Sequence, residues 1–135
     1  MTRYLIAYAV TAIVFFSVDY VWLSKIARNF YFERLGPLML DKPNLGAALG
    51  FYLMYIAGII IFAVAPGLKN GSLWYAMGYG ALFGFFTYAT YDMTNYATLK
   101  NWPVSVVFVD IAWGVFLTSA SASLGYLGTQ MLSKG

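Results

Sequence analysis

The chain is dominated by long apolar runs that are separated by short polar segments. Four of these runs have about 20 residues each, the length that crosses a hydrocarbon core about 30 Å thick. Helices are expected in them because backbone polar groups in lipid must be satisfied within their own segment. The pattern predicts an all-α integral membrane protein, a single domain over residues 1–135 with four transmembrane helices at about 4–24, 46–65, 73–92 and 103–124.

The segment between the first two runs has a pattern of its own. From about residue 26 to 35, apolar residues such as Phe30 and Tyr31 recur at helical spacing, and charged residues such as Arg28 and Glu33 fall on the other side. This pattern predicts a short amphipathic helix. The helix lies in the membrane interface or packs across the end of the bundle, and the two placements are compatible.

Proline, serine and glycine mark the ends and faces of the predicted helices. Pro66-Gly67 is expected to end the second span, and Ser72 suits the N-cap of the third. Gly80 and Gly84 form a GxxxG pattern in the third span. Such a pattern is typical of helices that approach closely, either within this chain or between copies.

Composition supports a membrane protein and excludes several kinds of site. The chain is 61% hydrophobic and 10% charged, whereas a soluble domain has about 25% charged residues. It contains no cysteine and no histidine, which excludes disulfides, thiolate metal sites, iron–sulfur clusters and Ser-His-Asp catalysis. The net charge of +3 comes from basic residues that flank apolar runs, so lipid headgroups explain it better than nucleic acid does. We expect no cofactor and no metal site.

The distribution of basic residues predicts the orientation in the membrane. The first and third connections hold five of them, and the termini and second connection hold three. Basic residues favour the cytoplasmic side, so the first and third loops are expected to be cytoplasmic and both termini outside. The inverted insertion remains an alternative. The two sets are Lys25, Arg28, Arg34, Lys42 and Lys100, and Arg3, Lys69 and Lys134.

Three aspartates fall within the apolar runs or at their ends. At a rise of about 1.5 Å per residue, Asp19 lies about 7 Å inside the end of the first span, and Asp110 about 10 Å inside the start of the fourth. Asp92 lies at the end of the third span. All three therefore occupy the same membrane half. A carboxylate that faces lipid costs several kcal/mol, so these aspartates are expected to face the bundle interior and to share a site.

Helical spacing places aromatic and amide side chains beside the three carboxylates. The expected result is a pocket of acids and aromatic rings near the basic loops. In the alternative, the carboxylates only accept hydrogen bonds and fix the helix register. The predicted ligand-binding residues are Asp19, Trp22, Tyr88, Tyr91, Asp92, Asn95, Trp102, Asp110 and Trp113, with Tyr52 and Tyr55 closing the site from the second span.

Asp92 and Asp110 are the candidates for a catalytic acid and base. Asp110 lies deeper and has no basic neighbour in its own helix, so it is the first candidate for proton exchange. Lys25, Arg28 and Lys100 are expected to pair with Asp19 or Asp92 at the membrane end.

Two motifs in the second half of the chain resemble the signature of a bacterial protein family. They are Tyr91-Asp92-x-Thr94-Asn95-x-Ala97-Thr98-Leu99-x-x-Trp102-Pro103 and Asp110-x-x-Trp113-Gly114, and the earlier Asp19-x-x-Trp22 fits the same pattern. The family is widespread, consists of small predicted membrane proteins and is catalogued only as a domain of unknown function. The resemblance covers nearly the whole chain. It implies four spans in a bacterial inner (cytoplasmic) membrane and supplies no activity.

Three kinds of function remain open. The first, which we favour, is binding or transport of a small cationic, amphipathic or lipidic molecule, because carboxylates framed by Trp and Tyr hold cations. The second is a membrane enzyme that acts on a lipid or isoprenoid with paired aspartates. The third is an accessory subunit of a larger membrane complex, since aromatic residues make up 20% of the chain and suit contact with partner helices. The expected partners are membrane lipids and a small-molecule or lipid ligand; a homo-oligomer and a larger membrane complex are the alternatives for assembly.

Overall fold

The computed structural model describes residues 2–39 and 44–133. This part of the chain is helical and contains no strand. Helix α1 (Thr2–Val21) continues as a π-helical turn (Trp22–Ile26), and α2 (Arg28–Leu35) is followed by a single 3-10 turn (Gly36–Leu38). Helix α3 (Leu45–Ile59) passes through a π-helical segment (Ile60–Val64) into α4 (Ala65–Asn70), and α5 (Leu73–Thr98) and α6 (Val104–Leu132) complete the fold.

Helices α5 and α6 are antiparallel and pack so closely that they require glycine at their contact. A Cβ on Gly80 would lie 2.8 Å from the Cβ of Ala122. A Cβ on Gly84 would overlap the carbonyl oxygen of Gly114. The GxxxG face predicted in this segment therefore packs within the chain.

The prediction that Pro66-Gly67 ends the second span is wrong. The helix continues through both residues to Asn70 and ends at Gly71, whose φ of 62° is left-handed. The π-helical segment explains this, because the N–H of Ala65 binds the carbonyl of Ile60 and shifts the hydrogen-bond register. Pro66 then sits in the first turn of α4, where its missing N–H costs little.

The N-cap prediction for the next helix is confirmed. The Ser72 hydroxyl accepts a hydrogen bond from the backbone N–H of Tyr75 at 3.1 Å. It satisfies one of the first N–H groups of α5, which have no partner within the helix.

Helices α1 and α6 are also antiparallel. Thr11 lies against Gly125, and Asp19, which comes later in α1, contacts Trp113, which comes earlier in α6. Buried apolar side chains such as Phe15 fill the interior between the helices. The C-terminal ends of α1 and α5 and the N-terminal parts of α3 and α6 therefore meet at one end of the bundle.

Helix α2 covers this end. Its apolar residues Phe30, Tyr31 and Leu35 pack against a small buried cluster that contains Trp102 and Val106. The predicted amphipathic helix is present and packs across the end of the bundle. It begins two residues later than expected, at Arg28, because the chain from Trp22 to Ile26 still belongs to the extension of α1.

Three helices of the described residues are long and apolar enough to cross a membrane: Thr2–Ile26, Leu45–Asn70 and Val104–Leu132. The fold is thus that of an all-α membrane protein. Helix α5 is not among the three, although it has 26 residues, because its many Tyr, Gly and Thr residues lower its mean hydropathy. It also extends to Thr98. Asp92 was expected at the end of the third span and lies instead inside this longer helix.

Candidate functional site

A cavity of about 340 Å³, here called the main cavity, lies at the end of the bundle that α2 covers. Every long helix contributes to its wall, and α2 contributes Tyr31. Most of the lining is aromatic, with two carboxylates among the rings. The residues that the structure brings together here include Asp19, Trp22, Tyr52, Tyr55, Tyr88, Tyr91, Asp110 and Trp113.

The indole rings of Trp22 and Trp113 stack face to face in the wall of the main cavity. Their centroids are 4.2 Å apart and their planes differ by 7°. Trp113 Nε1 donates to Asp19 Oδ1 at 3.1 Å, across 94 residues of sequence. The stack thus joins α1 to α6 and fixes the position of one carboxylate.

A second chain of hydrogen bonds reaches the other carboxylate. Trp22 Nε1 donates to the Tyr31 hydroxyl at 3.3 Å, and that hydroxyl donates to Asp110 Oδ1 at 2.8 Å. Hydrogen bonds therefore link the two Asp-x-x-Trp motifs. The indole of one binds the aspartate of the other, either directly or through Tyr31.

The Tyr31 hydroxyl stays protonated and can donate a hydrogen bond. Burial and the nearby Asp110 carboxylate raise the pKa of its hydroxyl far above the ordinary tyrosine value. The phenol therefore keeps its proton throughout the physiological range and remains a hydrogen-bond donor to Asp110.

Asp92 occupies a different position from the other two aspartates. It is fully buried, and it does not line the main cavity. Its carboxyl lies close enough to interact with Asp110, which also interacts with Asp19. Among the described residues, no group forms a hydrogen bond with either oxygen of Asp92. Asp92 is thus the most enclosed of the three carboxyls, and Asp110, which was expected to lie deeper in the membrane, is half-buried.

Two further candidates also lie outside the wall of the main cavity. Trp102 is buried under α2 and lines an adjacent cavity of about 370 Å³, here called the α2 cavity. Asn95 is half-buried beside Tyr91. Both belong to the motif around Asp92, one helical turn or more beyond the main cavity.

The expected ion pairs with basic residues are not formed. Within the described part of the chain, the ion pair is Arg34 with Glu33, at 3.9 Å on the surface of α2. Lys25, Arg28 and Lys100 form none there with Asp19 or Asp92. Trp113 donates to Asp19 instead, and Asp92 lies on the buried face of α5, away from these basic residues.

Sequence reasoning missed Tyr31, Phe51 and Thr87, which also line the main cavity. Tyr31 lies on the predicted apolar face of α2, so its hydroxyl had no evident partner. Thr87 shares a hydrogen bond with Tyr55 at 3.0 Å, and Tyr55 shares another with Thr118 at 2.8 Å. The sequence signal for Thr87 was a hydroxyl residue on an otherwise apolar helix face. In the described residues, no group of three or more acidic side chains is arranged to hold a metal ion.

The family follows from comparison with known sequences. The model of the family described as "Predicted membrane protein (DUF2177)" matches residues 4–127. The chain belongs to this family. The match includes all three aspartates and both stacked tryptophans, and the family description states a membrane protein without an activity. No curated protein and no solved structure matches the chain.

Proposed function

We propose that this protein binds an organic cation with apolar substituents in the main cavity. One observation carries the proposal: Asp19 and Asp110 both line the cavity, and none of its described lining residues is basic. Charged groups within a membrane bundle are costly and mark ligand pathways more often than not. Aromatic rings around an acidic pocket suit an ammonium group, which they attract through cation–π contact.

The hydrogen bonds leave both carboxylates able to accept a ligand. Asp19 receives a bond from Trp113, and Asp110 receives one from Tyr31. A carboxylate has about four acceptor positions, so each retains free capacity. The two carboxyls also interact with each other, and a cation between them relieves their repulsion.

The volume of the main cavity limits what it can hold. At about 340 Å³, it lies near the lower end of the range for ligand pockets, about 300–1,000 Å³. It accommodates an ammonium group and a few carbon atoms. A longer apolar tail would lie outside it, along the helices.

We place this site within four membrane spans of a bacterial inner membrane, with α5 as the third. Helix α5 runs from Leu73 to Thr98 and exceeds the length of about 20 residues that a span needs. Two of its polar residues, Thr87 and Tyr88, line the main cavity and are thereby shielded from lipid. Basic residues favour the α2 end as the cytoplasmic side.

A binding screen tests the proposed function. The purified protein is heated with amines, lipids or divalent ions, and native mass spectrometry identifies retained ligands. An ammonium ligand should raise the melting temperature of the wild type and of Glu33→Gln more than that of Asp19→Asn or Asp110→Asn. Stabilisation of all four proteins alike, or by neutral ligands only, would exclude the proposal.

A second candidate function is a membrane enzyme acting on a lipid or isoprenoid. It is favoured by Asp92, which is buried near Asp110 and has no hydrogen-bond partner among the described residues. Such a pair could exchange a proton with a substrate in the main cavity through Asp110. An unchanged lipid profile in cells that lack the protein would argue against it.

A further inference from the structure

Two other depressions adjoin the main cavity, and both are lined by Arg28. One is the α2 cavity, which shares Tyr31 and Asp110 with the main cavity. The other, here called the outer groove, has a volume of about 330 Å³ and is lined by Asp19 and Arg28 among others. Leu23 borders all three spaces. The three spaces thus adjoin one another at this side chain.

The charges along these spaces have an order. Asp19 and Asp110 line the main cavity, and each also lines one of the two outer spaces, whereas Arg28 lines only the outer spaces. The guanidinium carbon of Arg28 lies over the Phe32 ring, 5.6 Å from its centroid, and Phe32 lines the same two outer spaces. A positive group therefore lies beside the acidic main cavity and shares one outer space with each of its carboxylates.

We infer that the ligand is a zwitterionic lipid headgroup, in which a short bridge separates an ammonium from a phosphate. The inference rests on the proposed function, which assigns the ammonium to Asp19 and Asp110. Arg28 then binds the phosphate, because a guanidinium matches two phosphate oxygens at once. A simple amine would bind only Asp19 and Asp110 and would form no ion pair with Arg28.

The position of Arg28 favours phosphate over other anions. It is the first residue of α2, directly after the membrane-crossing helix Thr2–Ile26 ends. Lipid phosphates lie at this level of a bilayer, and basic side chains collect there.

The surface around the outer groove suits acyl chains. Tyr20, Leu23 and Phe32, which line it, are 69%, 46% and 50% exposed. Apolar side chains of this exposure on a membrane protein face lipid. A ligand whose headgroup fills the cavity and groove can therefore keep its tail in the bilayer.

Binding of matched ligands to Arg28→Gln tests the inference. The ligands are lysophosphatidylethanolamine, dodecylamine as the ammonium without phosphate, and phosphoethanolamine as the headgroup without a tail. Arg3→Gln is the control, because it removes the same charge at the other end of α1. We expect Arg28→Gln to weaken lysophosphatidylethanolamine about tenfold and to leave dodecylamine unchanged. Arg3→Gln should change neither affinity.

Each contrary result overturns a different statement. If Arg28→Gln weakens the binding of both ligands equally, or of neither, the assignment of the phosphate to Arg28 is wrong. The cation site is still supported in that case if the wild type binds dodecylamine. If dodecylamine fails to bind the wild type, the proposed function itself is wrong. Phosphoethanolamine should bind at least about a hundredfold more weakly than the lysolipid because it buries no tail. Equal affinity would overturn the assignment to a lipid.

Discussion

At the scale of single residues, Tyr31 connects the covering helix to the carboxylates. Its hydroxyl accepts a hydrogen bond from Trp22 of the α1 extension and donates one to Asp110 of α6. Tyr31 therefore links α2 to both helices. Its raised pKa keeps the proton in place for this purpose. Removal of the hydroxyl therefore removes one hydrogen bond from the Trp22 indole and one from the Asp110 carboxylate.

Tyr31→Phe should lower the free energy of unfolding by about 1–2 kcal/mol, the range for a partly buried hydrogen bond to a charged group. Tyr79→Phe, which alters an exposed tyrosine of α5, should cost little. Unfolding in mixed micelles, followed by tryptophan fluorescence, measures both. An equal cost for the two variants would mean that the Tyr31–Asp110 bond does not stabilise the fold.

Part of this residue arrangement follows from sequence. The spacing of Asp19 with Trp22, and of Asp110 with Trp113, places each pair on one helix face, and all four line the main cavity. Their pairing across helices does not follow, because the Trp113–Asp19 bond spans 94 residues and has no local signal. The role of Tyr31 depends on how α2 packs, which periodicity alone does not determine.

At the scale of elements, the contact between α5 and α6 sets the shape of the site. Gly84 lets the two backbones approach at Gly114, and the Tyr88 ring lies over Gly114. A Cβ on Gly84 would also lie 2.8 Å from the Thr118 hydroxyl. Backbone atoms of α6 cannot move aside as a flexible side chain does.

Gly84→Ala should therefore destabilise the protein by about 1–3 kcal/mol, the usual cost of overpacking. Gly78 is the matched control, since it lies on the same helix and a Cβ there has no neighbour within 4 Å. Gly78→Ala should be neutral or stabilise by up to about 1 kcal/mol through helix propensity. The same unfolding assay compares them, and equal effects would contradict the close approach of α5 and α6.

Helix ends were less predictable than helix positions. Ser72 acts locally, so its role as an N-cap could be predicted from the sequence. The continuation of the helix through Pro66 does not follow from the sequence, because the preceding π-helical segment has no sequence signature of its own. The length of α5 was underestimated because Asp92 resembles a polar end when its burial is not known.

At the scale of the whole molecule, the number of membrane crossings decides where the site faces. Single cysteines can be introduced cleanly, since the chain has none. Four crossings predict that Thr2→Cys, Asn70→Cys and Ser133→Cys react with an impermeant thiol reagent on one side, and Leu99→Cys on the cytoplasmic side. These four positions carry no charge, so the basic residues that orient the chain stay unchanged. Labelling of residues 70 and 99 from the same side would show that α5 does not cross.

The central claim is that Asp19 and Asp110 together hold a cation in the main cavity. Its most direct measurement is the dissociation constant of dodecyltrimethylammonium for the wild type, for each single Asn variant and for the double variant, with Glu33→Gln as the control. The near-ultraviolet circular dichroism of the stacked Trp22 and Trp113 rings verifies folding in each. Loss of two charged contacts should weaken binding about a hundredfold in the double variant and less in each single one. Unchanged affinity in a folded double variant would contradict the account.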